Sequence, residues 1–215
     1  MVDAGLCRAF VLTGGKSSRM GRDKALMEVG GRPLVLYVSD VVARVVPSIT
    51  LVGSRAKYGS LGLPVVEDVL PGQGPLSGIH AALKDSRTPL NLVLGCDMPF
   101  LNAPFLEMLI MVAAVADAKV TVTESAEFGF ESLCAVFNRE GLPQVEESLN
   151  AGDLKLSRVY EKLRVRTLSA EEWRPYNPHG DLFRNVNTLE DFEKAWRRLE
   201  AVAQGGAGDR STATL

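Results

Sequence analysis

Short apolar segments alternate with helical patterns along most of the chain, and this alternation is the feature that most limits the fold. Strands that alternate with helices form parallel sheets whose two faces are covered by those helices. The pattern therefore predicts an α/β fold with a mostly parallel sheet. The predicted strands are 9–12, 49–52, 65–66, 92–94, 120–122 and 133–137, and the predicted helices are 34–46, 76–84, 104–116 and 142–150.

Length and charge limit the function. A chain of 215 residues with 46% hydrophobic and 23% charged residues is typical of a soluble globular enzyme with one substantial core. The net charge of −2 provides no bulk field for nucleic acid or an anionic membrane, so any anion site has to be local. We expect one domain over residues 1–202 and a disordered polar tail over 203–215. No apolar segment approaches the roughly 20 residues that span a bilayer, and the start lacks a secretory pattern.

Three cysteines, Cys7, Cys96 and Cys134, lie in or beside apolar segments without C-x-x-C spacing. An odd, unclustered set argues against both a disulfide framework and a zinc site. We expect buried, reduced thiols and a cytoplasmic protein.

Ligands of parallel sheets bind beyond the carboxyl ends of the strands, which points to loops 13–24, 67–75 and 95–99. In the first loop, Gly14 and Gly15 lack Cβ atoms, so the backbone can approach a ligand, and its N–H groups can surround an anion. Arg19 and Lys24 would reinforce that site. A triphosphate site and an ordinary glycine-rich turn with solvated cations both fit these residue types.

Two common phosphate motifs are excluded in this loop. A Walker A motif would need glycine at Phe10, and the dinucleotide fingerprint would need glycine at Lys16.

The string Leu-Thr-Gly-Gly-Lys-Ser-Ser-Arg-Met-Gly-Arg-Asp-Lys, residues 12–24, closely resembles the signature L-x-G-G-x-S-x-R-M-G-x-D-K of molybdenum cofactor guanylyltransferases. Asp23 with Lys24 favours this branch of the nucleotidyltransferases over relatives with Pro-Lys. The resemblance implies a three-layer αβα sandwich, a Rossmann-like nucleotidyltransferase fold. It also implies that the nucleotide is bound by Leu12, Thr13, Gly14, Gly15 and Lys24. Arg19 and Lys24 are implied to be catalytic and to act on the phosphate charge.

Asp97 follows the predicted strand 92–94, where a carboxylate suits Mg²⁺, an ion that prefers one or two protein carboxylates with waters and substrate phosphates. A loop aspartate that caps the next helix fits as well. Residues 95–99 resemble the family's C-D-x-P metal site, which implies that Asp97 is catalytic and binds Mg²⁺ bridging the GTP phosphates.

Residues 65–79 hold two prolines and three glycines, as a sharp turn before a helix would. Gly74 and Gly78 would allow a ligand ring to pack against the backbone. The segment resembles the family pattern of Glu-Asp followed by G-P-L-x-G, which implies that Asp68 contacts the nucleotide. Ser54 stands where the family commonly has an asparagine for base recognition.

Residues 182–191 resemble the family's F-x-N-x-N-T-P-E-D segment. In a strand, Asn185 and Asn187 would project to one face, and we expect them to approach the metal and the acceptor phosphate. Thr188 and Asp191 approximate a capping box that begins a helix reaching residue 199. Ending the strand and capping that helix would also account for Asn187 and Thr188.

The remaining polar residues are less specific. His80 is expected to be packed inside a helix, and His179 to lie in a surface turn. A basic run is expected to form a solvated helix face, with an anionic acceptor or a partner protein as the alternative; it comprises Lys155, Arg158, Lys162, Arg164 and Arg166.

Together the motifs imply that GMP is transferred from GTP to the terminal phosphate of the molybdenum cofactor (molybdopterin), with Mg²⁺ and release of pyrophosphate. Expected partners are GTP, molybdopterin and proteins of cofactor delivery or molybdoenzyme maturation, with no nucleic acid or membrane. Two alternatives remain: a related nucleotidyltransferase that uses CTP or a sugar or alcohol phosphate, and a non-catalytic module that binds a nucleotide or cofactor.

Overall fold

The structure is a computed structural model. It describes residues 3–14, 23–29, 31–68, 70, 72–125, 129–188, 190–191, 193–194 and 196–198. Among the predicted features, Gly15, Arg19 and the tail over 203–215 lie outside the described residues.

Strands and helices alternate through the described chain. The strands are β1 (Cys7–Leu12), β2 (Glu28–Val29), β3 (Arg32–Pro33), β4 (Ile49–Val52), β5 (Val65–Val66), β6 (Leu90–Gly95), β7 (Val120–Ser125), β8 (Gly129–Asn138) and β9 (Val165–Leu168). The helices are α1 (Leu34–Ala43), α2 (Arg55–Tyr58), α3 (Pro75–Asp85), α4 (Ala103–Val115), α5 (Leu142–Asn150), α6 (Leu156–Glu161) and α7 (Ala170–Trp173). Pro33, Pro75 and Pro104 stand at helix starts, where the fixed φ of proline is tolerated.

Seven strands form one sheet in the order β5-β4-β1-β6-β8-β7-β9. Within this sheet only β8 runs antiparallel to its neighbours. Leu12 at the end of β1 lies opposite Val52 of β4 and Gly95 of β6. The loops that follow these three strands therefore meet at one edge of the sheet.

Side chains of alternate residues in the strands pack into two separate hydrophobic cores, one on each face of the sheet. Ala9 and Val11 of β1 pack in a core with α1 and α4, whereas Phe10 and Leu12 pack in a core with α3, α5 and α6. Because apolar side chains cover both faces of the sheet, the molecule is a three-layer αβα sandwich with a mostly parallel sheet, which confirms the predicted fold class.

The structure differs from the sequence prediction at several elements. The β2–β3 hairpin, α2, α6, α7 and β9 were not predicted, because they are short and contain charged residues, so neither an apolar run nor a periodic pattern marks them. None of the helices in the described part of the chain has the length and apolarity that crossing a bilayer requires.

Candidate active site

The carboxyl end of β1 is held tightly against β4. The backbone N–H and the hydroxyl of Thr13 both donate to the carbonyl of Val52, at 3.0 and 2.8 Å. A Cβ on Gly53 would lie 2.1 Å from Thr13 Oγ1 and 2.9 Å from the Tyr58 ring, so only glycine fits there. Thr13 is buried and its hydroxyl faces the protein, while the following Gly14 is exposed. The glycine loop therefore begins at a fixed point.

Lys24, Asp97 and Asn187 come together from three distant parts of the chain. Lys24 Nζ lies 2.9 Å from Asp97 Oδ2 and 2.8 Å from Asn187 Oδ1. The side chains of Lys24 and Asp97 are 15% and 22% exposed, so this cation is partly shielded from water and its charge is screened less than at the surface. A charge so placed is suited to a phosphate.

Asp97 does not cap the helix that follows it. Asn102 performs that role, since its Oδ1 accepts from the Phe105 N–H at 3.0 Å. The second carboxylate oxygen of Asp97, Oδ1, is buried without a hydrogen-bond partner among the described residues. A Cβ on Gly95 would lie 2.6 Å from this oxygen, so the absence of a side chain at Gly95 makes room for it.

A second buried oxygen without a partner in the described chain belongs to Asn185. The N–H of the next residue, Val186, donates to the Asp97 carbonyl at 2.9 Å, which fixes this segment beside the Asp97 loop. Buried polar atoms without partners are rare and call for an explanation such as an ion. The carboxylate and amide oxygens of Asp97 and Asn185 are donors that Mg²⁺ accepts, and no group of three His, Cys, Asp or Glu that could hold a metal occurs among the described residues.

The predicted strand over Asn185 and Asn187 is wrong, because residues 181–188 are not paired in the sheet. Their backbone bonds instead to the Asp97 loop through Val186. The capping box is present: Asp191 Oδ2 accepts from the Thr188 N–H at 3.0 Å, and the Asp191 N–H donates to Thr188 Oγ1 at 3.0 Å. The Asn187 side chain takes no part in that cap and bonds to Lys24.

Asp23, the neighbour of Lys24, is anchored in a network that the sequence did not indicate. Its carboxylate accepts from the Tyr58 hydroxyl at 2.9 and 3.1 Å and pairs with Lys57 Nζ at 3.0 Å. Tyr58 OH also lies 3.4 Å from the Thr13 carbonyl. Burial raises the pKa of Tyr58 well above its ordinary value, so the hydroxyl stays protonated as a donor. Asp23 and Tyr58 therefore position Lys24 relative to the glycine loop.

Asp68 shapes the loop that leads into α3. Its two carboxylate oxygens accept from the Leu70 N–H at 2.9 Å and the Ser77 hydroxyl at 2.6 Å. Gly74 adopts φ +71°, a value that favours glycine at the helix start. Gly78 is buried against Leu12, whose Cδ2 would lie 3.1 Å from an added Cβ, so its small size serves packing between α3 and β1. Nucleotide contact by Asp68 and base recognition by Ser54 stay predictions.

The cysteines and histidines of the described chain do not provide the site with a nucleophile or a base. Burial raises the pKa of the Cys96 thiol to about 12 and that of Cys7 to about 11, so both stay protonated at neutral pH. His80 is buried, as predicted, with Nε2 3.1 Å from Glu146 Oε1. His179 is exposed, also as predicted.

The predicted basic helix face is wrong. Arg158 lies on α6 and Arg166 on β9, so the run does not follow a single helix. Arg164 forms an ion pair with Asp117 in the loop after α4, and Arg166 forms one with Glu172 of α7.

A mostly parallel sheet that carries Gly14, a shielded lysine and a carboxylate at its carboxyl edge suits a nucleotide-binding protein of the α/β class. Residues 9–167 match the model of the MobA-like NTP transferase domain, and the chain belongs to this family.

Individual proteins that are similar in sequence or in structure are consistent with this family. The chain is 37% identical over 186 residues to a probable molybdenum cofactor guanylyltransferase of Pelotomaculum thermopropionicum, covering 86% of this chain and 89% of that one. It is 32% identical over 191 residues to the molybdenum cofactor guanylyltransferase of Syntrophotalea carbinolica, covering 88% and 90%. The structure of molybdopterin-guanine dinucleotide biosynthesis protein A from Archaeoglobus fulgidus superposes with a TM-score of 0.79 at 24% identity, covering 90% and 99%. This last similarity shows the fold.

Proposed function

We propose that the protein transfers GMP from GTP to the terminal phosphate of molybdopterin, the organic part of the molybdenum cofactor, and so forms the guanine dinucleotide cofactor. The observation that carries the proposal is the meeting of Lys24, Asp97 and Asn187, three motifs far apart in sequence, at the carboxyl edge of the sheet. The name of the relatives, molybdenum cofactor guanylyltransferase, supports a guanylyl group as the group transferred and the molybdenum cofactor as the acceptor.

In the proposed reaction an oxygen of the acceptor phosphate forms a bond to the α-phosphorus of GTP. The bond from that phosphorus to the bridging oxygen breaks, and pyrophosphate leaves. An ionised phosphate is already a nucleophile, so the reaction needs no general base, which suits a site without a catalytic histidine or cysteine.

Negative charge develops on the phosphate oxygens in the transition state. Preorganised hydrogen-bond donors stabilise this charge and so lower the activation free energy. Lys24 is assigned the role of stabilising this charge, together with the backbone of Gly14. Gly15 and Arg19 are proposed to act on the same phosphates, as the family resemblance implies. Leu12 and Thr13 hold the start of the loop, and Asp68 holds the loop before α3 beside the nucleotide.

Mg²⁺ is proposed to be held by Asp97 and Asn185, whose unpartnered buried oxygens fit this ion. When bound, it supplies positive charge to the phosphates of GTP and of the leaving pyrophosphate. Asn187 orients Lys24 and faces the acceptor phosphate. We further propose a single catalytic domain over residues 1–202 and a cytoplasmic location.

Pyrophosphate release tests the proposal, with GTP, ATP and CTP in parallel, with and without Mg²⁺ and the molybdenum cofactor. Release that requires GTP, Mg²⁺ and the cofactor, and that is lost in Asp97→Ala, supports the guanylyltransferase. Release with CTP instead would assign the protein to another branch. Tight GTP binding without release for any acceptor would favour a binding module.

A further inference from the structure

A cavity of about 450 Å³ lies beside the tips of β7 and β8, apart from the Lys24–Asp97 pair. This volume falls within the roughly 300–1,000 Å³ of small-molecule sites. Because β7 runs parallel to β6, its end lies at the same edge of the sheet as Asp97. The side chains that line the cavity include Glu124, Glu131, Trp173, Arg174 and Phe183.

A shift in strand register aims Glu131 into this cavity. Val122 pairs with Ala135, but Glu124 pairs with Phe130, so β8 carries extra residues between these pairs. Phe130 packs on Tyr160 with ring centroids 5.7 Å apart, in the core below α6. Neighbours along a strand face opposite sides, so Glu131 faces the other side of the sheet. Without the shift, Glu131 would share the face of Ala135; irregularities of this kind redirect side chains next to active sites.

The aromatic residues that line the cavity pack against each other and against the core. Phe183 packs edge to face against Trp173 and against Phe105 of α4, with ring centroids 5.2 Å apart in both pairs. The indole Nε1 of Trp173 is buried without a hydrogen-bond partner among the described residues. The cavity thus combines apolar ring surface with two carboxylates and the guanidinium of Arg174.

Glu124 is fixed by the backbone of α7, since its carboxylate accepts a hydrogen bond from the N–H of Ala170. A carboxylate has about four acceptor positions, so this bond leaves capacity for a ligand.

We propose that this cavity binds the pterin ring of the acceptor, an assignment that rests on the proposed function. A pterin is planar and uncharged and carries an N–H and an amino group on one edge, which match carboxylate acceptors. Glu124 and Glu131 are the acceptors assigned to the ring, and the phosphate arm is assigned to Lys24. Asp97 follows β6, two strands from β7, which is a span of about 10 Å at the usual strand spacing.

The first test measures the kinetics of Glu124→Gln and Glu131→Gln, which keep side-chain volume and remove charge. We expect each variant to raise the KM for the molybdenum cofactor about tenfold, as loss of a charged hydrogen bond does, with the KM for GTP and the kcat unchanged. Glu171→Gln is the matched control, because Glu171 is an exposed carboxylate on the same helix as Trp173 that does not line the cavity.

A binding test without turnover separates this proposal from the proposed function. The chain has two tryptophans, so Trp196→Phe leaves Trp173 as the only one. We expect added 6-hydroxymethylpterin, which has no phosphate, to quench Trp173 fluorescence after correction for pterin absorbance. In this background, Glu131→Gln should raise the pterin concentration that gives half-maximal quenching about tenfold. Glu171→Gln should leave that concentration unchanged.

The outcomes are distinct. Wild-type protein that makes no pyrophosphate from GTP and cofactor would refute the proposed function. Active protein whose Trp173 is not quenched, or whose Glu124→Gln and Glu131→Gln variants change the KM for GTP but not for the cofactor, would overturn the pterin site alone.

Discussion

Two lysine–aspartate pairs lie beside the carboxyl edge of the sheet, and they differ in what else they contact. Lys24 with Asp97 and Lys57 with Asp23 have nearly the same separation, 2.9 and 3.0 Å. The Lys24 side chain is 15% exposed, whereas that of Lys57 is 59% exposed. The Asp23 carboxylate also bonds to Tyr58, while Asp97 retains a buried oxygen without a partner in the described chain.

The comparison separates residues that build the site from residues that face the ligand. A carboxylate whose oxygens accept hydrogen bonds within the protein holds neighbouring segments in place. Its hydrogen bonds do not change when a ligand binds. A buried oxygen without a partner costs stability, about 1–3 kcal/mol for a typical group, and is retained where a ligand satisfies it. By this criterion Asp97 faces the ligand, and Asp23 holds Lys24 in place.

The largest effect is expected at Asp97. Asp97→Asn keeps the shape of the side chain but removes the charge that suits Mg²⁺, so kcat should fall by about 10²–10³, as for loss of a main electrostatic contact. Pyrophosphate release at saturating GTP measures this. Asp117→Asn, a change at an exposed ion pair, is the control and should stay within about twofold of wild type. If Asp97→Asn and Asp117→Asn lowered kcat equally, Asp97 would not be distinguished as a residue that faces the ligand.

Gly95→Ala tests the position of the Asp97 carboxylate without changing its chemistry. The new Cβ would lie 2.6 Å from Asp97 Oδ1, so the carboxylate has to move, and kcat should fall about 10- to 100-fold. Gly59→Ala is the matched control, because its Cβ would meet Arg55 Cγ at an ordinary 3.7 Å. Wild-type turnover in Gly95→Ala would contradict the placement of Asp97.

Asn187→Ala removes the second partner of Lys24 and leaves the ion pair with Asp97. We expect kcat to fall about tenfold, since Lys24 keeps its charge but loses part of its orientation. Thr188→Ala disturbs the neighbouring helix cap instead, so it should lower the melting temperature more than kcat. An Asn187→Ala variant with full turnover would refute a role for this amide at the acceptor phosphate.

The smallest effect is expected in the network around Asp23. Tyr58→Phe removes the hydroxyl that donates to Asp23 and should lower stability by about 1 kcal/mol and kcat about threefold. Lys57→Ala removes an exposed charge and should change neither by a measurable amount. Urea unfolding and steady-state kinetics on both variants provide the measurement. A loss in Tyr58→Phe as large as in Asp97→Asn would place Tyr58 at the ligand.

Much of the fold was predictable because short apolar runs mark the buried strands and a helical period marks the longer helices. The predicted strands 49–52 and 65–66 and the helix over 142–150 have the bounds seen in the structure. Strand β9 was not predictable, since its four residues gain their conformation from pairing with β7. Asn185 and Asn187 were assigned to a strand because side chains two residues apart share a face in any extended chain. The sequence pattern does not show whether a neighbouring strand pairs with that chain.

By itself, the sequence determined the layered α/β fold and the edge at which the glycine loop, Lys24 and Asp97 meet. It does so because the alternation of apolar residues and the ends of strands are local properties of the chain. Only the tertiary structure decided which carboxylates are satisfied. Asp23 and Asp97 both belong to motifs of the same family. The Tyr58 hydroxyl, 35 residues away from Asp23, donates to the Asp23 carboxylate and not to that of Asp97. Hydrogen bonding and burial between distant residues, rather than residue type, separate the two roles.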